Sequence, residues 1–315
     1  MSYDLAGKRV WVAGHRGMVG SATVRRLQAE GAEIVTAGRA ALDLRQQQAV
    51  DAFMARERPD VVVVAAGKVG GILANASQPA DFLYDNLMIA ANVIAAAHAH
   101  DVGRLLFLGS SCIYPRLAPQ PIPEEALLSG PLEPSNAGYA LAKIAGIKLV
   151  EACRTQYGRD YIAAMPCNLY GPGDNFALAS SHVLPALIRK AHEAKCRGEA
   201  YLTLWGSGMP RREFLHVEDC ADALVFLLRH YSGATPINVG SGAEVSVLEL
   251  ARLVCAVVGF DGEIVHDRTM PEGTPRKLMS TAKLRALGWA PRIGLEAGIR
   301  ATYAWFCRTG GRRAA

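Results

Sequence analysis

Tyr139 and Lys143 are four residues apart in a stretch whose pattern predicts a helix over 139–156. Side chains at that spacing lie on one helix face, so the phenol and the ammonium can reach each other. A neighbouring cation stabilises a phenolate, and the pair therefore predicts a tyrosine pKa lowered from about 10 toward neutrality. Such a tyrosine can exchange a proton with a carbonyl oxygen during hydride transfer. Taken alone, this spacing also arises by chance on many helices.

Three further side chains could take part in the same chemistry. Ser110 follows a buried strand predicted over 104–108, and a hydroxyl at the carboxyl end of a parallel strand can bind a substrate oxygen. Cys112 and His182 carry groups with pKa values on either side of neutrality, so each can transfer a proton near pH 7. A small buried thiol and a histidine at a helix start are the structural alternatives for these two residues.

A glycine-rich turn lies between the first predicted strand and the first predicted helix. Its glycines recur at three-residue intervals, which permits a tight turn and lets the backbone approach a pyrophosphate. The helix N-terminus that follows offers unpaired N–H groups and a positive dipole. The turn predicts a dinucleotide site, and a glycine-rich connection without a ligand is the alternative. The predicted cofactor-binding residues of the turn are Gly14, His15, Arg16, Gly17, Met18, Val19 and Gly20.

The second predicted strand ends without the acidic residue that usually binds the adenosine ribose of NAD. The sequence over 36–39 is TAGR, and Arg16 of the turn could reach the same corner as Arg39. Two guanidinium groups there would bind a ribose 2′-phosphate, so NADP(H) is predicted as the cofactor. Two ordinary solvated arginines are the alternative.

Short apolar strands alternate with helices over the first two-thirds of the chain. The predicted strands cover 9–13, 33–36, 61–65, 104–108, 161–165 and 236–239, and the predicted helices cover 18–30, 41–58, 81–100, 139–156 and 218–231. This alternation predicts an α/β fold with a Rossmann-type doubly wound parallel sheet.

A smaller, interleaved C-terminal substrate domain is expected beside the sheet. Residues 1–168 and about 218–242 form the predicted nucleotide domain, and 169–217 and about 243–315 form the second, where turns separate shorter elements. The last residues, 309–315, predict a frayed tail.

The composition excludes several classes of protein. The 315 residues are 50% hydrophobic and 20% charged, which excludes a disordered chain. The net charge of +5 comes without a basic stripe interleaved with aromatic residues, so no nucleic-acid surface is predicted. Neither a membrane span nor a signal-peptide pattern is present, and a cytoplasmic protein is expected. Seven scattered cysteines predict neither a disulfide framework nor a metal site.

Together, the glycine turn, the strand-end serines and the Tyr/Lys pair resemble the short-chain dehydrogenase/reductase superfamily, and specifically its extended, sugar-nucleotide branch. The resemblance is strongest to members of that branch that both epimerise and reduce, and it runs in order along nearly the whole chain. The matching motifs are AGHRGMVGSA (13–22), KVGGI (68–72), LFLGSSCIYP (106–115), YALAKIAGIK (139–148), MPCNLYGPGDNF (165–176), SHVLPALI (181–188), LWGSGMPRREFLHVED (204–219), NVGSG (238–242) and GTPRK (273–277).

This resemblance implies NADPH-dependent conversion of GDP-4-keto-6-deoxy-D-mannose to GDP-L-fucose. Cys112 is implied as the base and His182 as the acid for inverting C3 and C5, where the neighbouring carbonyl acidifies the hydrogens. Ser110 and Tyr139 are implied to hold the C4 oxygen, and Lys143 to bind the nicotinamide ribose.

The same resemblance implies further contacts to cofactor and substrate. The implied cofactor-binding residues beyond the turn are Arg39, Asp43, Leu44, Leu108, Gly109, Ser110, Ser111, Lys143, Pro166, Cys167, Asn168, Leu169 and His182. The implied substrate-binding residues are Val183, Lys190, Trp205, Arg212 and Ser280. Lys190 stands where some members have arginine, and Ser280 stands where many have aspartate, so this chain departs from the family pattern at both positions.

Two other functions stay open. A sugar-nucleotide 4-epimerase or 4,6-dehydratase would keep and recycle a tightly bound NAD, whereas a net reductase must exchange NADPH, as Arg16 and Arg39 favour. A nucleotide-sensing protein would keep the fold and need none of the catalytic candidates. The helix predicted over 81–100 is apolar around much of its circumference. Members of the related family form dimers through this helix and the helix carrying Tyr139. The apolar surface and the resemblance together predict a homodimer formed in the same way.

Overall fold

The computed structural model describes residues 2–270 and 272–311. The strands are β1 (Arg9–Ala13), β2 (Glu33–Val35), β3 (Val61–Val64), β4 (Arg104–Leu108), β5 (Asp160–Pro166), β6 (Asn168–Tyr170), β7 (Tyr201–Trp205), β8 (Arg211–His216), β9 (Ile237–Val239), β10 (Glu244–Ser246), β11 (Glu263–Asp267) and β12 (Arg276–Lys277). The helices are α1 (Met18–Ala29), α2 (Gln47–Glu57), α3 (Ile72–Ser77), α4 (Pro79–Ala99), α5 (Ala137–Tyr157), α6 (Val183–Arg197), α7 (Val217–His230), α8 (Val247–Val258), α9 (Ala282–Ala286) and α10 (Leu295–Thr309).

A six-stranded parallel sheet forms the centre of the larger part of the chain. Its strand order is β2-β1-β3-β4-β5-β9, and every neighbouring pair is parallel. The four valines of β3 are completely buried because helices cover both faces of the sheet. The order reverses between β1 and β3, and the carboxyl ends of these strands therefore open the crevice in which doubly wound sheets bind ligands. The predicted fold class is confirmed.

Most predicted elements of this sheet and its helices agree with the structure within two residues, but the helix predicted over 41–58 does not. Helix α2 begins only at Gln47. The Asp43 side chain accepts a hydrogen bond from the N–H of Arg45, and the Asp43 carbonyl accepts one from the N–H of Gln46. These local bonds form a turn that competes with helical hydrogen bonding, so the first third of a range predicted to be mostly helical is a turn.

The segments predicted to hold only shorter elements contain three regular helices, α6, α8 and α10, of 12 to 15 residues. The sequence carries clear boundary signals for one of them. Ser246 and Glu249 form a reciprocal capping box at the start of α8, and Gly259 ends it with a φ of 73°. A Ser-x-x-Glu pattern followed by a terminal glycine is a standard helix signature, and it marks a helix that the prediction missed.

Two main clusters of buried side chains organise the chain. The first surrounds the central sheet and includes Trp11, Phe107 and Tyr161. The second joins α6, α8 and α10 to the small sheet of β10, β8 and β12, with β6 beside β8. Burying one large apolar side chain contributes about 1.5–3 kcal/mol, so each cluster stabilises its own part of the fold.

These clusters support the predicted division into two domains, which itself stays a prediction. The stretch over 279–289 differs, because Met279, Leu284 and Trp289 pack into the first cluster. In the described part of the chain, no helix is long and apolar enough to span a membrane. Helix α10 ends at Thr309, and residues 312–315 of the predicted tail lie outside the described residues.

Candidate active site

The glycine turn lies at the carboxyl end of β1, where the crevice opens. Gly14 has a φ of 89°, and a Cβ there would lie 2.7 Å from the backbone of Ala66. A Cβ on Gly20 would lie 2.1 Å from the Gly14 carbonyl oxygen. Gly17 is the N-cap of α1, and no side chain caps the first turn of the helix. The turn therefore leaves backbone N–H groups for an anion, and its shape fits a pyrophosphate.

Replacing Gly20 by alanine is expected to weaken NADPH binding at least about 100-fold, because the new Cβ must push α1 away from the turn. Titration of NADPH fluorescence against the folded variant measures this. Gly294→Ala is the matched control, since a Cβ at that position meets no atom within 4 Å. Unchanged NADPH affinity in a folded Gly20→Ala protein would contradict the assignment of the turn.

Two arginines lie at the corner where an adenosine ribose would bind. The guanidinium carbon of Arg16 is 3.4 Å from the position of the Cβ that Gly38 lacks, so Arg16 reaches the segment after β2 as expected. Arg39 is exposed at the same corner. A nearby carboxylate, Asp43, is bound by Arg45 at 2.6 Å, which lowers its pKa to about 2, with a smaller contribution from Arg39. Two guanidinium groups beside an already paired carboxylate fit a 2′-phosphate.

Lys143 is buried beneath the crevice, on α5. Its Nζ donates a hydrogen bond to the Leu108 carbonyl at the end of β4, at 2.8 Å. The ammonium lies 5.9 Å from the centroid of the Tyr139 ring. Burial lowers the pKa of Lys143 to about 8. Helix spacing thus brings these two side chains together, as predicted.

The predicted consequence for Tyr139 is wrong. Burial raises the pKa of Tyr139 above its usual value, the nearby Cys112 acts in the same direction, and a hydrogen bond with the Ser110 side chain offsets only part of this rise. The ammonium of Lys143 faces the tyrosine ring and bonds to a backbone carbonyl, so it does not lower the phenol pKa. Tyr139 is consequently a protonated phenol at neutral pH, the form that donates a proton.

Ser110 connects the tyrosine to the cysteine. It is the N-cap of a short 3-10 helix (Ser111–Ile113), and its Oγ accepts a hydrogen bond from the N–H of Cys112 at 3.3 Å. The same side chain bonds to Tyr139. Ser110, Cys112 and Tyr139 therefore share one small region at the end of β4.

Lys277 is a residue of this site to which the sequence reasoning gave no role. Its Nζ donates a hydrogen bond to Cys112 Sγ at 3.7 Å. His182 is the N-cap of α6, and the residue as a whole is exposed. The protein around its ring nevertheless lowers the pKa of His182 by desolvation, and the Lys277 ammonium lowers it further. One cation therefore acts on both proton-transfer candidates. The motif GTPRK contains Lys277, and this was the available signal.

The loop after β3 positions the segment that precedes His182. The N–H of Gly71 donates to the Ser180 carbonyl at 2.9 Å. A Cβ on Gly71 would lie 2.6 Å from the Ser181 carbonyl oxygen, so a larger residue does not fit. Asn86 holds the start of the same loop through the N–H and the carbonyl of Lys68. The motif KVGGI thus has a positioning role that sequence reasoning did not identify.

The strand-end residues predicted to bind cofactor line the carboxyl edge of the sheet. The Gly109 N–H donates to the Ala164 carbonyl, and a Cβ on Gly109 would lie 3.1 Å from Ile147. Cys167 is buried, and its N–H donates to Val239, while Asn168 donates from its side chain to the Glu213 carbonyl. The remaining predicted cofactor-binding residues at this edge are Leu108, Ser111, Pro166 and Leu169. Leu44, which is also predicted to bind the cofactor, accepts a hydrogen bond from the Asn92 side chain at its carbonyl. Their contacts with a nucleotide stay a prediction.

The predicted substrate residues occupy several positions in the smaller part of the chain. Lys190 Nζ lies 5.0 Å from the centroid of the Trp205 ring and donates to the Thr203 carbonyl. Val183 is the first residue of α6, directly after His182. These positions place a cationic and an aromatic group side by side, and their contact with substrate stays a prediction.

The hydrogen bonds of Arg212 and Ser280 involve mainly backbone groups. Arg212 donates to the carbonyls of Glu272 and Arg211, and burial lowers its pKa, while the Cys112 thiol nearby acts in the opposite direction. The Ser280 N–H donates to Ile122, and its carbonyl accepts from Asn238. Arg212 therefore lies near the Cys112 thiol, and its role in binding substrate, like that of Ser280, stays a prediction.

The site contains thiols and no cluster that suggests a metal. All seven cysteines are free. Among residues 2–270 and 272–311, no group of three or more His, Cys, Asp or Glu side chains is arranged to hold a metal ion.

Comparisons with known proteins agree with this geometry. The model of the NAD dependent epimerase/dehydratase family matches residues 10–240. A GDP-L-fucose synthase of Sinorhizobium fredii is 59% identical over 304 residues, 96% of this chain and 97% of the relative. A GDP-L-fucose synthase of Escherichia coli is 52% identical over 312 residues, 96% of this chain and 97% of the relative.

A solved structure is similar over the same length. The structure of a GDP-L-fucose synthetase from Naegleria fowleri bound to NADP has a TM-score of 0.89 and 27% identity, and the match covers 98% of this chain and 97% of that one. The matched range of the family model and the identity to full-length relatives lead to one conclusion. The chain belongs to the NAD dependent epimerase/dehydratase family.

Proposed function

We propose that this chain converts GDP-4-keto-6-deoxy-D-mannose to GDP-L-fucose, inverting C3 and C5 and then reducing the C4 carbonyl with NADPH. One observation carries the proposal. A proton-transfer pair, Cys112 and His182, shares the crevice with the reductase residues Ser110 and Tyr139, and Lys277 acts on both members of the pair. The names of the relatives, which are GDP-L-fucose synthases, support the same substrate.

Reduction needs a proton for the oxygen and a hydride for the carbon. NADPH, when bound, supplies the hydride. Tyr139 delivers the proton to the C4 oxygen, because burial keeps its phenol protonated at neutral pH. The Ser110 hydroxyl, already bonded to Tyr139, holds the same oxygen. The Lys143 ammonium donates one hydrogen to the Leu108 carbonyl. Its other hydrogens can bind the hydroxyls of the nicotinamide ribose.

Epimerisation uses the acidity that the C4 carbonyl gives to the hydrogens on C3 and C5. The Cys112 sulfur takes the proton, and the electrons of the C–H bond pass to the carbonyl as an enolate. Ser110 and Tyr139 then donate hydrogen bonds to the enolate oxygen, which makes them an oxyanion site. His182 delivers a proton to the opposite face of the carbon, which inverts the centre.

The alternatives predict other features at the same positions. A 4-epimerase or 4,6-dehydratase recycles a retained NAD, whereas Arg16 and Arg39, beside the already paired Asp43, favour the exchangeable NADP(H). A nucleotide sensor needs no proton-transfer pair, and here Cys112 receives a hydrogen bond from the half-buried Lys277. The bifunctional enzyme accounts for both features.

We also propose a homodimer in the cytoplasm. Helices α4 and α5 pack together, and they present exposed apolar side chains at Tyr84 (59% exposed), Leu87 (37%) and Leu141 (48%). A second copy of the chain would cover this surface. Seven free thiols suit a reducing compartment.

Isotope labelling tests the proposed function directly. Purified protein is mixed with NADPH and GDP-4-keto-6-deoxy-D-mannose in deuterated water, and the loss of nicotinamide absorbance is followed. The product should be GDP-L-fucose with deuterium at both C3 and C5. Loss of absorbance without deuterium in the product would show that the protein is a simple ketoreductase that does not epimerise. Absence of NADPH oxidation by the folded protein would overturn the proposal in favour of an NAD-recycling enzyme or a sensor.

A further inference from the structure

A two-residue strand brings a lysine from the last quarter of the chain to the catalytic cysteine. Strand β12 pairs in parallel with β8, with Lys277 opposite Arg212. Successive side chains of a strand point to opposite faces. Arg276 accordingly binds Glu244 at 2.9 Å, whereas Lys277 points to Cys112 Sγ at 3.7 Å, across 165 residues of sequence. The strand thus separates a structural ion pair from a contact with the site.

The charged groups around the thiol differ in how directly they act. Lys277 donates a hydrogen bond to the sulfur itself. Arg212 lies near the thiol, but its guanidinium is occupied by the carbonyls of Arg211 and Glu272. Tyr139 is also close, and it is a neutral phenol. Lys277 is also the charged group that lowers the pKa of His182, after the larger effect of burial.

We propose that Lys277 is the positioning residue for epimerisation, with an ammonium that bonds to the Cys112 sulfur and places one positive charge beside both proton-transfer groups. The inference rests on the proposed function and adds a residue to it. A cation favours the deprotonated form of each neighbour. The base is thereby ready to take a proton, and the acid gives one up more readily. Reduction through Tyr139 and Lys143 does not use this charge.

Lys277→Met should slow deuterium entry at C3 and C5 about tenfold or more at pH 7, since an opposite charge at this distance changes a group's protonation by at least that factor. Both limbs of the pH profile of exchange should move to higher pH, because the lost charge favoured deprotonation of both groups. Lys277→Arg keeps the charge and should restore most of the rate. Arg276→Met removes one charge from the other face of the same strand, and it should leave the profile in place.

A measurement without substrate separates this inference from the proposed function. Iodoacetamide alkylates thiolates, and peptide mass spectrometry follows Cys112 and the exposed Cys196 in the same sample. In Lys277→Met, the alkylation profile of Cys112 should move to higher pH while that of Cys196 stays fixed. Lys277→Gln replaces the methionine variant if the latter does not fold.

The outcomes are distinct. Slower exchange in Lys277→Met with unchanged pH and alkylation profiles would show a merely structural lysine and overturn the inference. A wild-type protein that incorporates no deuterium, while the alkylation profile still depends on Lys277, would overturn the proposed function and support the coupling of Lys277 to Cys112. Shifted profiles together with rescue by arginine would support both.

Discussion

Tyr139→Phe should lower kcat for reduction about 10²–10⁴-fold, the usual contribution of a general acid. The ring remains, so its contact with the Lys143 ammonium, 5.9 Å from the centroid, is kept. Only the hydroxyl that delivers the proton and bonds to Ser110 is lost. Deuterium exchange at C3 and C5 should fall by less, because Ser110 still donates to the enolate oxygen. Nicotinamide absorbance and product labelling, measured in the same reaction, give the two rates.

Tyr157→Phe is the matched control for that variant. Tyr157 is the exposed last residue of α5, 18 residues after Tyr139 and thus about 27 Å further along the helix, so the loss of its hydroxyl should leave both rates unchanged. If Tyr139→Phe instead reduces its substrate at the wild-type rate, another group delivers the proton, and the assignment of Tyr139 is wrong.

Cys112→Ser should reduce deuterium incorporation at C3 and C5 by about 10²–10⁴-fold, because a serine hydroxyl does not ionise near neutral pH and cannot replace the thiolate base. His182→Gln should cause a loss of similar size, since the amide keeps polarity at the N-cap of α6 but cannot deliver a proton. NADPH affinity should stay close to that of the wild type in the Cys112 variant, as the glycine turn is untouched. Mass spectrometry of the sugar product measures the label.

Cys196→Ser tests whether the effect is specific to one thiol. Cys196 is exposed on α6, and its sulfur contacts His192 rather than any residue of the crevice. That variant should label both carbons at the normal rate. Normal labelling in Cys112→Ser would mean that a different group removes the protons.

Local patterns in the sequence predicted much of this fold. The valines of β3 and the alternation of strands and helices indicated the parallel sheet, and most boundaries agree within two residues. The late start of α2 was not predicted because the side chain of Asp43 makes a turn that a helical pattern does not reveal. Helices α6 and α10 were missed because they stabilise a core assembled from distant segments, which periodicity over a short window does not show.

The same distinction applies to the site. The proximity of Tyr139 and Lys143 could be predicted because helix geometry fixes their spacing. Gly14 and Gly20 could be assigned to the nucleotide-binding turn because that turn leaves no room for a side chain at either position. The raised pKa of Tyr139 comes mainly from burial, and that burial, like the orientation of Lys143 over the ring, depends on packing around α5. The contact of Lys277 with Cys112 depends on the pairing of β12 with β8, which no local pattern specifies.

The pairing of β12 with β8 also sets an order of events during synthesis. Chains emerge from the ribosome N-terminus first, and their parts fold in that order. Ser110, Cys112, Tyr139 and Lys143 leave the ribosome long before Lys277, which follows Cys112 by 165 residues. A nascent chain therefore carries its nucleotide turn and its proton donor while the thiol still lacks its counter-charge. The contact between Lys277 and Cys112 therefore forms only after the groups assigned to reduction have all been synthesised.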